Sequence, residues 1–225
     1  MGFLLHALKP EFQFVDIGAN IGSYTLIASK IIGAKTICFE PVPNTVDRLS
    51  LNLRLNGIED LITIRRKALG DRIASIKFTQ NNDTMNQVLM GDEDQLQGLT
   101  VEMGVIDEEI LLNGPLIFKI DIEGYEYPTL VGGRKVLSSE NVIAIIIEMN
   151  GSGKRYGYNN EMIDAELREL GFFAISYDPF NKKTIRLMTY NENNQNTIYI
   201  KDLEKVSSLC KASKSYYIHT VSKSL

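Results

Sequence analysis

Carboxylates and glycines that follow apolar runs are the residues of this 225-residue chain best suited to chemistry. In segment 14–24, Asp16 ends an apolar run, and Gly18 and Gly22 follow it. Glycine lets the main chain turn sharply and approach a ligand closely, and a helix that begins there offers free N–H groups to an anion. The pattern predicts a ligand-binding loop, although a tight turn between a strand and a helix explains it as well.

A further carboxylate, Glu40, ends the next apolar run, about twenty residues beyond the glycines, where nucleotide-binding α/β folds place the carboxylate that accepts hydrogen bonds from both ribose hydroxyls. Ala19 and Asn20 depart from the dinucleotide spacing G-x-G-x-x-G, so no diphosphate need be accommodated. The two features together favour a ligand that has a ribose and no pyrophosphate, and they weaken the case for a nicotinamide-dependent oxidoreductase.

Charged residues also alternate along a later apolar run. Lys119, Asp121 and Glu123 share one face of a predicted strand near its end, where charges are paired or face a site. Two interpretations stay open: an ion pair between Lys119 and Asp121 that orders the loop, and a direct catalytic role of Asp121. Glu126 is expected to be a favourable first-turn carboxylate of the next helix. Glu148 closes another apolar run on the same predicted edge and is expected to face the site.

The elements that must position these residues alternate between strands and helices, which is typical of βα units around a parallel sheet. Strands are predicted at 12–17, 35–40, 61–66, 116–120, 142–149, 172–177, 185–188 and 197–200, with a short one at 75–79, and helices at 21–32, 43–56, 127–137 and 162–170. The length predicts one full domain at 12–200, with a short lead-in at 1–11 and a polar tail at 201–225. The short lead-in leaves open whether a natural N-terminal segment is missing.

Composition excludes several classes of protein. With 44% hydrophobic and 23% charged residues, the chain is expected to fold rather than to be disordered. The 24 basic and 28 acidic residues contain no basic run of the kind that nucleic-acid binding needs. Cys38 and Cys210 are expected to be free thiols in a reducing compartment. No apolar stretch reaches the ~20 residues of a membrane span and no signal peptide is evident, so we expect a cytoplasmic protein.

Several segments together resemble a known family. They read VDIGANIG at 15–22, FEPVP at 39–43, ALGD at 68–71 and KIDIEGYE at 119–126, followed by Glu148. In this order they closely resemble the FkbM family of S-adenosylmethionine-dependent methyltransferases. The glycine motif is generic to class I methyltransferases, whereas the block at 119–126 is far more specific to FkbM proteins.

The resemblance implies a doubly wound, Rossmann-like α/β fold. Its mostly parallel seven-stranded sheet would have an antiparallel late strand and helices on both faces. It also implies S-adenosyl-L-methionine as cofactor and O-methylation of a sugar, glycan or natural-product hydroxyl. The implied cofactor-binding residues are Asp16, Gly18, Ala19, Asn20, Gly22, Tyr24, Glu40, Pro41, Ala68 and Asp121. Glu40 would hold the ribose, Pro41 and Ala68 would flank the adenine, and Asp121 would lie between cofactor and acceptor. A side chain at Gly18 is expected to obstruct the cofactor.

Methyl transfer from a sulfonium requires alignment and a base that takes the proton of the acceptor. His6 and His219 are expected to be surface residues. Asp121 foremost, and then Glu148, are therefore the catalytic candidates, and a divalent metal held by carboxylates stays open. Asp107 matches an acidic position of the family, although a role at a helix start is the plainer account.

Two alternative functions stay open. An N-methyltransferase usually carries an Asn- or Asp-Pro-Pro-aromatic motif after the fourth strand, and the similar string at 178–180 reads as a turn. A non-catalytic scaffold would keep the fold and the cofactor pocket. The acceptor is expected to be a small molecule or a glycan that contacts loops 71–98 and 151–160, the latter with Tyr156 and Tyr158. The sequence leaves the oligomeric state open.

Overall fold

The structure is a computed structural model that describes residues 1–78, 88–89, 98–218 and 223–224. The strands are β1 Gln13–Ile17, β2 Lys35–Phe39, β3 Ile62–Arg65, β4 Ala68–Leu69, β5 Ala74–Phe78, β6 Leu99–Gly104, β7 Leu116–Ile120, β8 Val142–Glu148, β9 Phe173–Asp178, β10 Lys183–Arg186, β11 Asn196–Ile200, β12 Tyr217–Ile218 and β13 Lys223–Ser224. The α-helices are α1 Gly2–Ala7, α2 Ser23–Leu26, α3 Pro43–Asn56, α4 Ile106–Glu109, α5 Glu126–Val131, α6 Arg134–Ser138, α7 Asn160–Glu169 and α8 Leu203–Lys211.

The main sheet has the order β10-β9-β11-β8-β7-β1-β2-β3. Strands β3, β2, β1, β7 and β8 run parallel, and β11 lies antiparallel between β8 and β9. The expected mostly parallel sheet with an antiparallel late strand is confirmed. Its strand number differs from the expected seven, because β10 pairs antiparallel with β9 as an eighth strand within the described residues. Asp178 stabilises the connecting turn by accepting hydrogen bonds from the N–H groups of Phe180 and Asn181.

The order of the strands reverses at β1, which pairs with β2 on one side and with β7 on the other. In open α/β sheets, ligands bind outside the carboxyl ends of the strands at such a point. A smaller sheet of order β4-β6-β5 follows β3 in the chain.

Hydrophobic packing covers both faces of the main sheet. One buried cluster joins the β1, β7 and β8 side chains Val15, Phe118 and Ile145 to helices α5, α6 and α7. The other cluster joins Phe14 and Ile146 of the opposite face to α1, α8 and the turn 27–32. The consecutive β1 residues Val15 and Phe14 enter different clusters because successive side chains of a strand point to opposite faces.

Two predicted helices differ in detail from the structure. The first is α2, which continues as a π-helical turn at Ile27–Ile32 and ends at Gly33. The helix predicted at 127–137 is instead the pair α5 and α6, separated at Gly132 and Gly133. A Cβ atom at Gly132 would lie 1.9 Å from the carbonyl oxygen of Gly70, so the tight packing of that backbone requires glycine here.

The predicted tail and lead-in both contain helices. Helix α8 lies within 201–225, and its Val206 and Cys210 are buried in the same cluster as α1, which forms within 1–11. Asp202 caps α8 by accepting a hydrogen bond from the N–H of Lys205. Residues 203–211 of the predicted polar tail thus form a helix with one buried side, which leaves little trace in a polar sequence, and the predicted domain bounds remain a prediction. Cys38 and Cys210 are free cysteines, as predicted, and both are buried. Across the described residues, no helix combines the length and the apolar character needed to traverse a bilayer.

Candidate active site

A cleft opens where the ends of β1, β2 and β7 meet. It contains about 600 Å³ of empty space, part of which is open to solvent. Six of the predicted site residues line it, namely Gly18, Asn20, Glu40, Pro41, Ala68 and Asp121.

Glu40 stands at the end of β2 with its carboxylate held by the main chain. Its Oε2 accepts a hydrogen bond from the N–H of Asn20 at 3.1 Å, and its Oε1 accepts one from the N–H of Val42 at 3.0 Å. Burial raises the pKa of Glu40 to about 6. Each carboxylate oxygen has a second lone pair, so this side chain can also accept hydrogen bonds from two ligand hydroxyls.

Gly18 turns the chain at the end of β1 with φ +78°. Its N–H donates a hydrogen bond to the carbonyl oxygen of Phe39 at 3.0 Å. A Cβ atom at this position would lie 1.9 Å from the main-chain oxygen of Asp121. The expectation that a side chain here would meet the cofactor is therefore corrected, because it would first collide with the backbone that follows β7.

Asp16 lies beneath the glycine loop and outside the cleft wall. Its Oδ2 accepts a hydrogen bond from the Thr25 hydroxyl at 2.6 Å, and burial raises its pKa to about 6. Ala19 is buried, Gly22 precedes α2 with φ +92°, and Tyr24 lines a different cleft. The cofactor-binding roles of these four predicted residues remain predictions.

Asp121 follows β7 and lines the cleft, and Lys119 lies below it with 1% of its side chain exposed. The Lys119 Nζ donates hydrogen bonds to Asp121 Oδ2 at 2.9 Å and to the carbonyl oxygen of Ile120 at 3.3 Å. The ion pair of the structural interpretation is thus present. It leaves Asp121 in the cleft wall, so it is compatible with contact between this carboxylate and reacting atoms.

Glu148, at the end of β8, joins Asp121 and Glu123 in one acidic group. Their nearest carboxylate oxygens all lie within 4.8 Å of one another. Burial, followed by the neighbouring Asp121, raises the pKa of Glu148 to about 8. The Asn150 amide donates a hydrogen bond to Glu148 Oε2 at 3.0 Å. Glu148 can therefore take up a proton near neutral pH. The oxygens of all three carboxylates are also of the type that hard divalent cations prefer.

Glu126 and Asp107, which were expected to stabilise the first turns of helices, both accept hydrogen bonds from main-chain N–H groups near helix N-termini. Glu126 begins α5, and its Oε1 accepts hydrogen bonds from the N–H groups of Ile122 and Gly124, which holds the loop after β7. Burial raises the pKa of Glu126 to about 7. Asp107 accepts hydrogen bonds from two N–H groups at the beginning of α6. It therefore caps α6 as well as standing in the first turn of α4, a tertiary contact that its own neighbours in the sequence do not reveal.

The histidine predictions need one correction. His6 is fully buried, and its Nδ1 lies 2.6 Å from the hydroxyl of Tyr177. It was expected at the surface, but α1 packs its side chain inward. It does not line the cleft that Asp121 lines. His219 lies outside the described residues.

Sequence reasoning missed several apolar residues of the cleft wall. Phe78 and Val88 line the cleft that contains Glu40. Both residues belong to loop 71–98, which was expected from the sequence to contact the acceptor rather than the cofactor. Within that segment, residues 79–87 and 90–97 lie outside the described residues. Tyr156 was expected in an acceptor-contacting loop, but it is a core residue whose hydroxyl donates to the carbonyl oxygen of Val88 at 3.0 Å. The β-rich run at 75–79 was the available signal for Phe78.

Comparison with known proteins agrees with this geometry. Residues 16–174 match the family described as the methyltransferase FkbM domain. A curated relative, the hexuronic acid methyltransferase AglP of Haloferax volcanii, is 28% identical over 145 residues, which cover 64% of this chain and 59% of the relative. The chain therefore spans less than two thirds of the length of this relative.

Solved structures share the fold. A methyltransferase FkbM from Methylobacillus flagellatus KT superposes with a TM-score of 0.56 and 17% identity, covering 86% of this chain and 44% of that protein. A putative methyltransferase from Streptococcus mutans, in complex with SAH, superposes with a TM-score of 0.50 and 14% identity. The match covers 88% of this chain and 93% of that protein. At these identities the similarity concerns the fold alone.

Proposed function

Since this chain belongs to the methyltransferase FkbM domain family, we propose that it transfers a methyl group from S-adenosylmethionine to a hydroxyl of a sugar or glycan. The observation that carries the proposal is that Glu40 and Asp121 line one cleft at the point where the strand order reverses. The similarity to a hexuronic acid methyltransferase supports the sugar class of the acceptor.

The residues of the cleft fit this cofactor. Glu40 offers two carboxylate oxygens to the ribose hydroxyls, and Gly18 brings the loop after β1 against the end of β7. Ala68, Leu69 and Phe78 supply an apolar wall for a flat adenine ring. We therefore assign the ribose to Glu40, the adenine to the wall that contains Ala68, and the methionine part to the loop that contains Gly18.

Bound S-adenosylmethionine supplies an electrophilic methyl carbon on a positively charged sulfur, which an acceptor oxygen attacks. When the three carboxylates of the acidic group are ionised, Lys119 pairs with only one of them, so the group favours a further positive charge at this edge of the sheet. Lys119 also anchors Asp121 at 2.9 Å. Asp121 and Glu148 are the assigned proton acceptors, and the raised pKa of Glu148 suits a base that works near neutral pH. The acceptor hydroxyl loses one proton in the reaction, and one oxygen of these two carboxylates takes it up.

The proposal is tested with the variant Asp121→Asn. We expect it to bind S-adenosylmethionine nearly as the wild type does and to lose turnover by about 10²–10⁴-fold, because removing a base affects the chemical step. Calorimetry with the cofactor and single-turnover methyl transfer to a panel of methyl glycosides, neutral and uronic, measure the two quantities on the same preparation. The exposed Asp60→Asn is the matched control.

Three results would change this assignment. If cofactor affinity falls as far as the rate does, Asp121 is a binding residue. If the wild type binds the cofactor and methylates none of the sugars, the assignment of a sugar acceptor fails. If it also methylates no amine and no natural-product acceptor, the non-catalytic scaffold is favoured. A chelator added in parallel would lower the rate only if a divalent metal held by the carboxylates takes part.

A further inference from the structure

A second cleft is separate from the cleft that contains Glu40 and Asp121. Neither the family nor the proposed chemistry supplies a role for it. It contains about 730 Å³ of empty space, part of which is open to solvent. Its apolar lining includes Ile146, Ile175 and Ile198. Its polar lining comprises Tyr24, Ser176, Tyr177, Asn191, Asn194 and Asn196. These three asparagines lie close together in the sequence, within residues 191–196.

The register of the sheet connects the two clefts. Asn196 of β11 pairs directly with Glu148 of β8, so their side chains point to the same face. On the other side of β8, Ile120 pairs with Ile147, which places Asp121 level with Glu148. Asn196, Glu148 and Asp121 therefore form a row across three neighbouring strand positions. Two strand spacings amount to roughly 10 Å, so one bound molecule can reach from Asp121 to Asn196.

Tyr24 forms part of the boundary between the clefts. It lines the second cleft, and its ring centroid lies 5.4 Å from Nζ of Lys119, the ion-pair partner of Asp121. Burial, followed by Asp121, raises the pKa of Tyr24 to about 12. The second cleft thus begins next to the charged groups assigned to the reaction.

Asn196, which lines this cleft, carries a hydrogen-bond acceptor that is unpaired among the described residues. Its side-chain Oδ1 is buried and has no hydrogen-bond partner within the part of the chain that the structure describes. Its main-chain N–H donates to Asn194 Oδ1 at 3.0 Å, which holds the residue in place. A buried acceptor that remains unpaired is costly, so a turn of this side chain toward a ligand hydroxyl in the cleft would be favourable.

We propose that Asn196 accepts a hydrogen bond from a second hydroxyl of the acceptor sugar and thereby selects which hydroxyl faces Asp121. The inference rests on the proposed function, since it concerns the acceptor of the same reaction. A sugar ring suits the cleft because its C–H groups can cover the apolar side chains of Ile146 and Ile198 while its hydroxyls reach the polar lining.

The first test observes the wild-type protein loaded with S-adenosylhomocysteine. The side-chain amide signal of Asn196, assigned by its loss in Asn196→Ala, is followed by ¹H–¹⁵N NMR during titration with methyl glucoside and with methyl glucuronoside. A saturable shift of this signal with either probe, without a matching shift at the exposed Asn193, supports the inference. No shift with either probe overturns it, even if sugars are methylated. A shift without any methyl transfer would leave Asn196 a sugar contact while the proposed function fails.

The second test measures methyl transfer to whichever of the two sugars, methyl glucoside or methyl glucuronoside, the wild type methylates. Asn196→Ala is expected to raise the KM for the sugar by about 2–10-fold, the loss typical of one hydrogen bond, and to leave the KM for S-adenosylmethionine unchanged. It should also yield a mixture of positional isomers of the methylated sugar, a result that a merely structural role would not produce. Asn193→Ala is the control from the same loop. An unchanged sugar KM with a single product isomer would contradict the inference.

Discussion

Glu40 contributes to this protein through the two oxygens of one carboxylate. Each oxygen already accepts one main-chain N–H, so the side chain is oriented before any ligand arrives. We expect Glu40→Ala to weaken S-adenosylhomocysteine binding by about 2–3 kcal/mol, the cost of losing charge-assisted hydrogen bonds. Calorimetry measures this loss, and the exposed Glu59→Ala is the control. Unchanged affinity in a folded Glu40→Ala protein would reject the ribose assignment.

Glu148 determines the expected pH dependence of the reaction. Its pKa is raised to about 8, and only its ionised form can accept a proton. We therefore expect kcat/KM to rise as the pH increases from about 6.5, to reach half of its maximum near pH 8, and to level off above about pH 9. Glu148→Gln should be slower and should lack this rise. The measurement is a pH–rate profile for both proteins, and a rise of the same size in Glu148→Gln would show that another group controls it.

Among the elements, the loop after β1 lies so close to the end of β7 that this contact determines which residue can stand at Gly18. Gly18 and Gly33 have similar positive φ angles, +78° and +89°, but a Cβ atom would collide with Asp121 only at Gly18, and at Gly33 it would meet nothing within 4 Å. Gly33→Ala should thus cost about 1–2 kcal/mol, the usual cost of a left-handed conformation for a residue with a Cβ.

Gly18→Ala is expected to cost clearly more than Gly33→Ala, because the backbone after β7 must shift in addition. Urea denaturation of the two variants compares their free energies of unfolding. Equal losses would show that Gly18 serves only its own turn and that the contact with Asp121 is easily relaxed.

At the scale of the whole molecule, the two ends of the chain meet on one face of the sheet. Val206 of α8 is 1% exposed and belongs to the cluster that contains Phe3 and Leu4 of α1. We expect Val206→Ala to lower the free energy of unfolding by about 1–3 kcal/mol, because it leaves a cavity in this cluster. Ser208→Ala, on the exposed side of the same helix, should have little effect.

Thermal unfolding measures the two α8 variants. At about 2–4 °C per kcal/mol for a chain of this size, the loss at Val206 is large enough to detect. Similar midpoints for wild type and Val206→Ala would mean that α8 contributes little to the stability of the domain.

The sequence by itself determined the order of the strands and helices along the chain, the glycine loop, Glu40 at the end of β2, and Asp121 after β7. These features depend on a few neighbouring residues, because periodicity, glycine conformations and strand ends are local properties of the backbone. Tertiary structure decided which distant residues meet. Strand pairing placed Glu148 beside Asp121 and Asn196 beside Glu148, and packing buried His6 and divided the helix at Gly132. Such contacts arise from the packing free energy of segments far apart in the chain, which no short stretch of sequence contains.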